Sequence, residues 1–316
     1  MTAPVRVAVI GCGHFGRYHA DKYAALPEAE LVAVADRNPG AAEAVANAHG
    51  TRSVTDYREL LGRVEAVSVV VPTQAHFEVA GALLDAGVHV LVEKPIAATV
   101  AEAEALVALA ARRGALLQVG HLERFNAAVL ALVDVLERPL FVESHRLAPF
   151  QPRGTDVSVI LDLMIHDIDL IQQLVGAPLT SVDAVGVPVL SPRDDIANAR
   201  LHFESGCVAN VTASRVSLKT ERKMRLFQRD AYISIDFQNR TATVARKGTG
   251  EMFPGVPDIL LENRQFEATD SLRLEIEAFL RSVRGGAPVA ATGEDGLRAL
   301  RTALHITESL QRPPPV

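Results

Sequence analysis

The chain is poor in cysteine, in excess positive charge and in long apolar runs, and each shortage excludes something. Cys12 and Cys207 are its two cysteines. They lie too far apart for a metal-ligand spacing, so no zinc or other metal site is expected, and a reducing cytoplasm suits them. The chain has 32 Lys and Arg against 38 Asp and Glu, a formal net charge of -6. That is the wrong sign for a nucleic acid or an anionic membrane, which require a basic face. No apolar stretch reaches the roughly 18 residues that span a bilayer. The opening Met1-Thr2-Ala3-Pro4 runs straight into a strand pattern, so no signal peptide is expected. Internal repeats and long low-complexity linkers are missing as well. What remains is 316 residues, 48% hydrophobic and 22% charged, enough to bury two ordinary domains. A soluble, cytoplasmic protein is the expectation.

The first half reads as a nucleotide fold. Val5 to Ile10 is an apolar, β-branched run of strand length, and Gly11-Cys12-Gly13-His14-Phe15-Gly16 follows at once, ahead of a helical stretch from Arg17 to Leu26. Strand, G-x-G-x-x-G, helix is the context in which that motif cradles a dinucleotide. Gly11 permits the tight turn, Gly13 lets the backbone approach a pyrophosphate, and Gly16 lets helix and strand pack closely. A second strand, Leu31 to Ala35, ends at Asp36, whose carboxylate can accept hydrogen bonds from an adenosine ribose and repel a 2′-phosphate. Arg37 beside it can instead cradle that phosphate; NAD is expected over NADP. Further strands are expected at Ala66 to Val71, Val88 to Val92 and Leu116 to Gly120. Helices are expected at Ala41 to His49, Thr55 to Leu61, Gln74 to Ala86 and Val100 to Arg112. The alternation implies right-handed crossovers and a parallel, doubly wound sheet. Pro72, Thr73 and His76 follow one strand end, and Glu93-Lys94-Pro95 follows another. Both lie where an open α/β sheet holds its ligand. There a lysine can donate hydrogen bonds and charge to a reacting oxygen.

After Gly120 the pattern changes. His121 to Asn126 leads into an expected helix to about Leu136. Runs of β character follow at Phe141 to Phe150, Ser181 to Leu190, Asn198 to Phe203, Cys207 to Ser217, Lys223 to Phe237 and Thr241 to Arg246, which suggests a large, mostly antiparallel open sheet. Two helices, about Ser271 to Arg284 and Glu294 to Ser309, close the chain. The expected division is a dinucleotide-binding domain over 1–121 and an α+β domain for substrate and oligomerisation over 122–316. One expected helix, Val157 to Val175, carries chemistry. Ile160, Met164, Ile168, Ile171 and Val175 form an apolar face, while Asp162 and His166 stand four apart on another, with Asp169 beside them. A histidine near neutral pKa beside a carboxylate can accept a substrate proton. Asp167 falls within the apolar arc, so it needs a buried partner or a substrate contact.

Together these motifs resemble the Gfo/Idh/MocA oxidoreductases. The resemblance runs over nearly the whole chain: the glycine fingerprint, Glu93-Lys94-Pro95, Gly120 to Asn126, and Asp162 to Asp167. It implies an amino-terminal Rossmann domain and a carboxyl-terminal α+β domain. It also implies hydride transfer between a sugar or cyclitol carbinol and a nicotinamide, with Lys94, Asp162 and His166 as the catalytic set. It points to dimers or tetramers built through the second sheet. Within the family, Gly120 to Asn126 and His145 to Gly154 are most similar to enzymes that oxidise the 3-hydroxyl of UDP-N-acetylglucosamine, toward a diamino sugar of lipid A. Ala127 departs from the proline common there. The residues this implies on the substrate side are Lys94, Arg124, Asn126, Arg146, Arg153, Asp162 and His166, with Arg146 and Arg153 able to pair with a diphosphate.

Two other readings compete. A free aldose, inositol or dihydrodiol dehydrogenase has no need of two substrate-side arginines. A dinucleotide-sensing regulator that has lost catalysis has no need of Lys94, Asp162 and His166.

Overall fold

The computed structural model describes residues 3–132, 135–151 and 157–310. The chain divides into two compact units, 1–125 with 270–300, and 126–269 with 301–316. They do not follow a single boundary at 121/122.

The first unit is a six-stranded parallel sheet in the order β3-β2-β1-β4-β5-β6. Its strands are β1 (Val5–Ile10), β2 (Ala29–Ala35), β3 (Arg52–Val54), β4 (Ala66–Val69), β5 (His89–Val92) and β6 (Leu117–Val119). The short β3 has no counterpart among the expected strands. Strand order reverses at β1, so the crevice between β1 and β4 is where such sheets take a ligand. Helices α1 (His14–Ala25), α2 (Pro39–His49), α3 (His76–Asp85) and α4 (Val100–Arg113) provide the crossovers. α2 begins at Asn38, whose side chain accepts from the Gly40 and Ala41 amides, and ends at left-handed Gly50. α4 begins with a full capping box between Thr99 and Glu102. Helix α7 (Ser271–Val283) returns to this unit because Ile276, Phe279 and Leu280 fill the same core as Val7, Val9, Ala20 and Tyr23. α8 (Gly293–Leu310) begins in this unit and ends in the other.

The second unit carries an eight-stranded sheet in the order β14-β13-β12-β11-β7-β10-β9-β8. Its strands are β7 (Phe141–Leu147), β8 (Leu179–Val187), β9 (Ile196–Phe203), β10 (Val208–Ser214), β11 (Glu221–Gln228), β12 (Ala231–Asp236), β13 (Thr241–Phe253) and β14 (Val256–Gln265). Every pairing is antiparallel except β7 with β10. Alternation puts Ala209, Val211 and Ala213 in the core. Three expectations give way here. The run from Lys223 to Phe237 is two strands turning at Asp230, which sits at φ 59. β14 is an additional strand, mostly exposed and so without a clear period of two. The helix expected to run to Leu136 is a short 3-10 turn (Leu122–Phe125) followed by one turn, α5 (Ala127–Leu130).

Candidate functional site

The glycine loop after β1 is shaped by close approach. Gly11 sits at φ +99, and a Cβ there would lie 2.4 Å from the Val70 carbonyl oxygen. A Cβ on Gly16 would lie 1.8 Å from the Gly11 oxygen, whereas Gly13 has nothing within 4 Å. Open space therefore stands over Gly13, at the start of α1. That helix has no side-chain cap, so its first-turn N–H groups and dipole are left for an anion. His14 and Phe15 are exposed there and meet edge-on, with ring centroids 5.4 Å apart. At the end of β2, Asp36 accepts the Cys12 amide at 2.7 Å and the Asn38 amide at 2.8 Å, tying the glycine loop to the neighbouring strand. Arg37 is 82% exposed, 3.9 Å from Glu78, which also takes Arg58 at 3.0 Å. These residues fit a dinucleotide: a pyrophosphate over Gly13 and the start of α1, and an adenosine ribose near Asp36.

The ends of β4 and β5 form the next part of this rim. Pro72 is exposed and precedes a 3-10 turn over Thr73–Ala75, with Thr73 half-buried. His76 follows the second of the two readings open to it, a cofactor contact or a helix-start residue with a local hydrogen bond. It begins α3 and is 1% exposed, with Nδ1 2.8 Å from the Pro95 carbonyl and Nε2 2.9 Å from that of Val71. Burial pushes its pKa below the usual range, against the opposing pull of those carbonyls. It is a tie between two strand-end loops. Glu93 is likewise turned inward: its carboxylate lies 3.1 Å from His19 Nε2 and accepts the Lys94 amide at 3.3 Å. A Cβ on Gly120 would come within 3.1 Å of Glu93 Oε2, so a side chain at 120 would push that carboxylate by a few tenths of an ångström. Lys94 itself is half-buried.

Arg124 is corrected by the structure. It is 6% exposed, and its guanidinium donates to Asp295 and to the Ala290 carbonyl, each at 2.9 Å. It fixes the start of α8 instead of waiting for a substrate. Asn126 caps α5, its side-chain oxygen accepting the Ala128 amide at 3.0 Å.

In the second unit, Asp162 lies in a π-helical turn, Ile160–Met164, that runs directly into α6 (Ile165–Val175). The Ile165 amide donates back to Ile160, five residues earlier. Single π turns inside helices recur at functional sites. Asp162 and His166 are both half-buried, one turn apart, and Asp169 is buried. The buried partner that Asp167 required is Arg146 on β7: Nε donates at 2.7 Å and Nη2 at 3.2 Å. At 4% exposure Arg146 is committed inward, which removes it from the diphosphate reading. Arg153 lies outside the described residues.

Three residues without a role in the sequence reading meet under the rim. Tyr23 Oη lies 2.9 Å from Ser68 Oγ, and Ser68 Oγ 3.0 Å from His19 Nδ1. A polar residue on the buried stripe of α1, beside Gly16, Ala20 and Tyr23, was the available signal. Among the described residues no His, Cys, Asp and Glu group could hold a metal.

Two family matches divide the chain between them. Residues 5–121 match the oxidoreductase family's NAD-binding Rossmann fold, and residues 134–316 its C-terminal alpha/beta domain. The chain is 41% identical over 308 residues to UDP-N-acetylglucosamine 3-dehydrogenase of Acidithiobacillus ferrooxidans, covering 97% of each chain. A crystal form of that enzyme superposes with a TM-score of 0.91 over 98% of this chain and 99% of the other, at 39% identity. scyllo-Inositol 2-dehydrogenase (NAD(+)) of Bacillus subtilis is 28% identical over 336 residues, 100% of this chain and 97% of the relative. With both domains matched in order on one chain, this protein belongs to the Gfo/Idh/MocA family of NAD-binding oxidoreductases.

Proposed function

We propose that this oxidoreductase oxidises the 3-hydroxyl of UDP-N-acetylglucosamine, supplying a keto sugar for amination toward the diamino sugar of lipid A. The observation that carries this reading is the 41% identity, over 97% of both chains, to an enzyme of that name. Bound NAD supplies the hydride acceptor, held by Gly11, Gly13, Gly16, the start of α1 and Asp36. His166, assisted by Asp162, takes the hydroxyl proton as the carbinol is oxidised. Lys94 donates to the reacting oxygen and stabilises its developing charge. Arg153 pairs with the diphosphate. That remote binding energy orients the sugar, so free N-acetylglucosamine is a poor substrate. No described helix is long and apolar enough to cross a membrane, and we place the enzyme in the cytoplasm. Val185 and Val187 on β8 and Ile259 and Leu261 on β14 are exposed. β8 and β14 are the two opposite edges of the sheet, and we assign the exposed apolar residues there to the contacts of a homodimer or homotetramer.

The test couples the reaction to an amino-sugar aminotransferase and glutamate, because alcohol oxidation by NAD alone runs uphill near neutral pH. A diamino UDP-sugar detected by mass is the expected product. One observation favours a second reading, a free polyol dehydrogenase. With Arg146 paired to Asp167, only one of the two expected diphosphate arginines remains, and relatives named inositol dehydrogenases cover nearly the whole chain. Ready turnover of free hexoses or inositols, with every UDP-hexosamine inert in the coupled assay, decides for that reading.

A further inference from the structure

A line of buried polar groups in the first unit leads to the Glu93 carboxylate, beside Lys94. Tyr23 and His19 come from α1, Ser68 from β4 and Glu93 from the end of β5. Tyr23 and Ser68 are 0% exposed and His19 1%. Three contacts of 2.9, 3.0 and 3.1 Å join them in that order, Tyr23–Ser68–His19–Glu93. An ionised carboxylate only accepts, which fixes the direction of the line. His19 Nε2–H donates to Glu93, Ser68 O–H donates to His19 Nδ1, and Tyr23 O–H donates to Ser68. Every proton has one acceptor, and a neutral imidazole suffices. An apolar core would fill this volume at lower cost, since each buried polar group must be matched.

Beneath Glu93 lies a second carboxyl, Glu275 on α7. It is 0% exposed, and no described residue makes a hydrogen bond to either oxygen. Burial, reinforced by the Glu93 charge, pushes its pKa well above the ordinary carboxylate range. Burial pushes Glu93 the same way, but His19 and the Lys94 charge override it and hold Glu93 below the usual range. Two neighbouring carboxyls are thus driven apart, one neutral and one ionised. The titratable groups that interact with Glu93 are His19, with Tyr23 behind it, from α1, His76 from the start of α3, Lys94 from its own strand end, and Glu275 from α7.

We propose that Tyr23, Ser68 and His19 are positioning residues that hold the Glu93 carboxylate in place beside Lys94, so that Lys94 keeps its proton at working pH. The proposal rests on the reading of Lys94 given above. Glu93 is therefore an electrostatic partner of Lys94, and its hydrogen bond to the Lys94 amide fixes the backbone from which that side chain starts.

The test reads Lys94 directly, without a substrate. Protein carrying ¹³C-labelled lysine is titrated by NMR in its NAD complex, with the Lys94 resonance assigned by its loss in Lys94→Arg. Removing an anion beside an ammonium disfavours the charged form, so Glu93→Gln should lower the Lys94 titration midpoint by about one pH unit. Ser68→Ala, which deletes one oxygen and breaks the line, should move it the same way by less. An unmoved midpoint in both variants, with only thermal stability reduced, overturns the proposal and leaves the line a packing feature. Ser68→Ala and Tyr23→Phe carry the test should Glu93→Gln not fold. Turnover of Lys94→Ala separates the two claims. Full activity there removes the catalytic reading of Lys94, while a shifted NMR midpoint still upholds its coupling to Glu93.

Discussion

Arg146 on β7 and Asp167 on α6 make a two-pronged ion pair, Nε to Oδ2 at 2.7 Å and Nη2 to Oδ1 at 3.2 Å, with both residues at or below 4% exposure. It fastens the helix that bears Asp162 and His166 to the sheet beneath it. Removing one partner strands a buried charge, so Arg146→Ala or Asp167→Ala should cost about 3–5 kcal/mol of unfolding free energy in urea. Arg146→Met with Asp167→Leu should recover most of it and leave the KM for a UDP-sugar near wild type. A double variant as stable as wild type but with a KM raised tenfold would return Arg146 to the diphosphate.

Lys94→Ala and His166→Ala should each lower turnover by about 10²–10⁴-fold, the usual worth of a general acid–base group. NAD affinity, measured by fluorescence titration, should stay near that of wild type. Near-normal turnover in both variants removes their catalytic roles.

Asp36→Ser should weaken NAD binding and narrow the gap to NADP, because the carboxylate that repels a 2′-phosphate is gone. Arg37, at 82% exposure, is then available to that phosphate. Part of the NAD loss should come from the glycine loop, since Asp36 also accepts the Cys12 amide. A wild-type protein that prefers NADP contradicts the assignment at once.

Neither thiol should react in the native protein. Burial, with Asp36 adding to it, raises Cys12 from 9.0 to about 12, and burial raises Cys207 to about 11. At pH 8 a disulfide reagent should label no thiol until urea unfolds the chain, and two thereafter. The linkage has a definite sign. Between about pH 9 and 11 the folded thiols keep protons that unfolded ones release, so this contribution to stability falls as pH rises. Rapid native labelling at Cys12 or Cys207 would contradict the burial.

Light scattering at micromolar concentration should report a dimer or tetramer. Val185→Lys with Val187→Lys, both on an exposed row of β8, should shift that mass downward. A monomeric wild-type protein counts against the assigned interface.

The parts of the fold legible in the sequence were those written in consecutive residues. The β1 strand, glycine loop and α1 follow one another with their reasons attached, and α4 runs from the expected Val100 to Arg113, one residue past the expected end. Asp167 was legible as a residue in need of a partner, because its helical angle is a local property. The partner was not, because Arg146 is 21 residues away and reaches it only through the packing of α6 on the sheet. The line under Glu93 was hidden for the same reason, its contacts joining residues 45, 49 and 74 apart. Arginine in a promising stretch was over-read as a ligand at Arg124 and Arg146, where a guanidinium buried against carboxylate serves architecture. At His76 the sequence left a cofactor contact and a local hydrogen bond equally open, and two carbonyls from strand-end loops decide for the second.

The return of residues 270–300 to the first unit separates the order of synthesis from the order of folding. When residue 125 leaves the ribosome, all six parallel strands exist, yet Ile276, Phe279 and Leu280, which seal the core around Val7, Val9 and Tyr23, have not been made. Nearly the entire second unit must emerge first. The nascent nucleotide fold therefore waits with an uncovered apolar face for about 150 residues, the interval in which a growing chain is most exposed to aggregation and to chaperones.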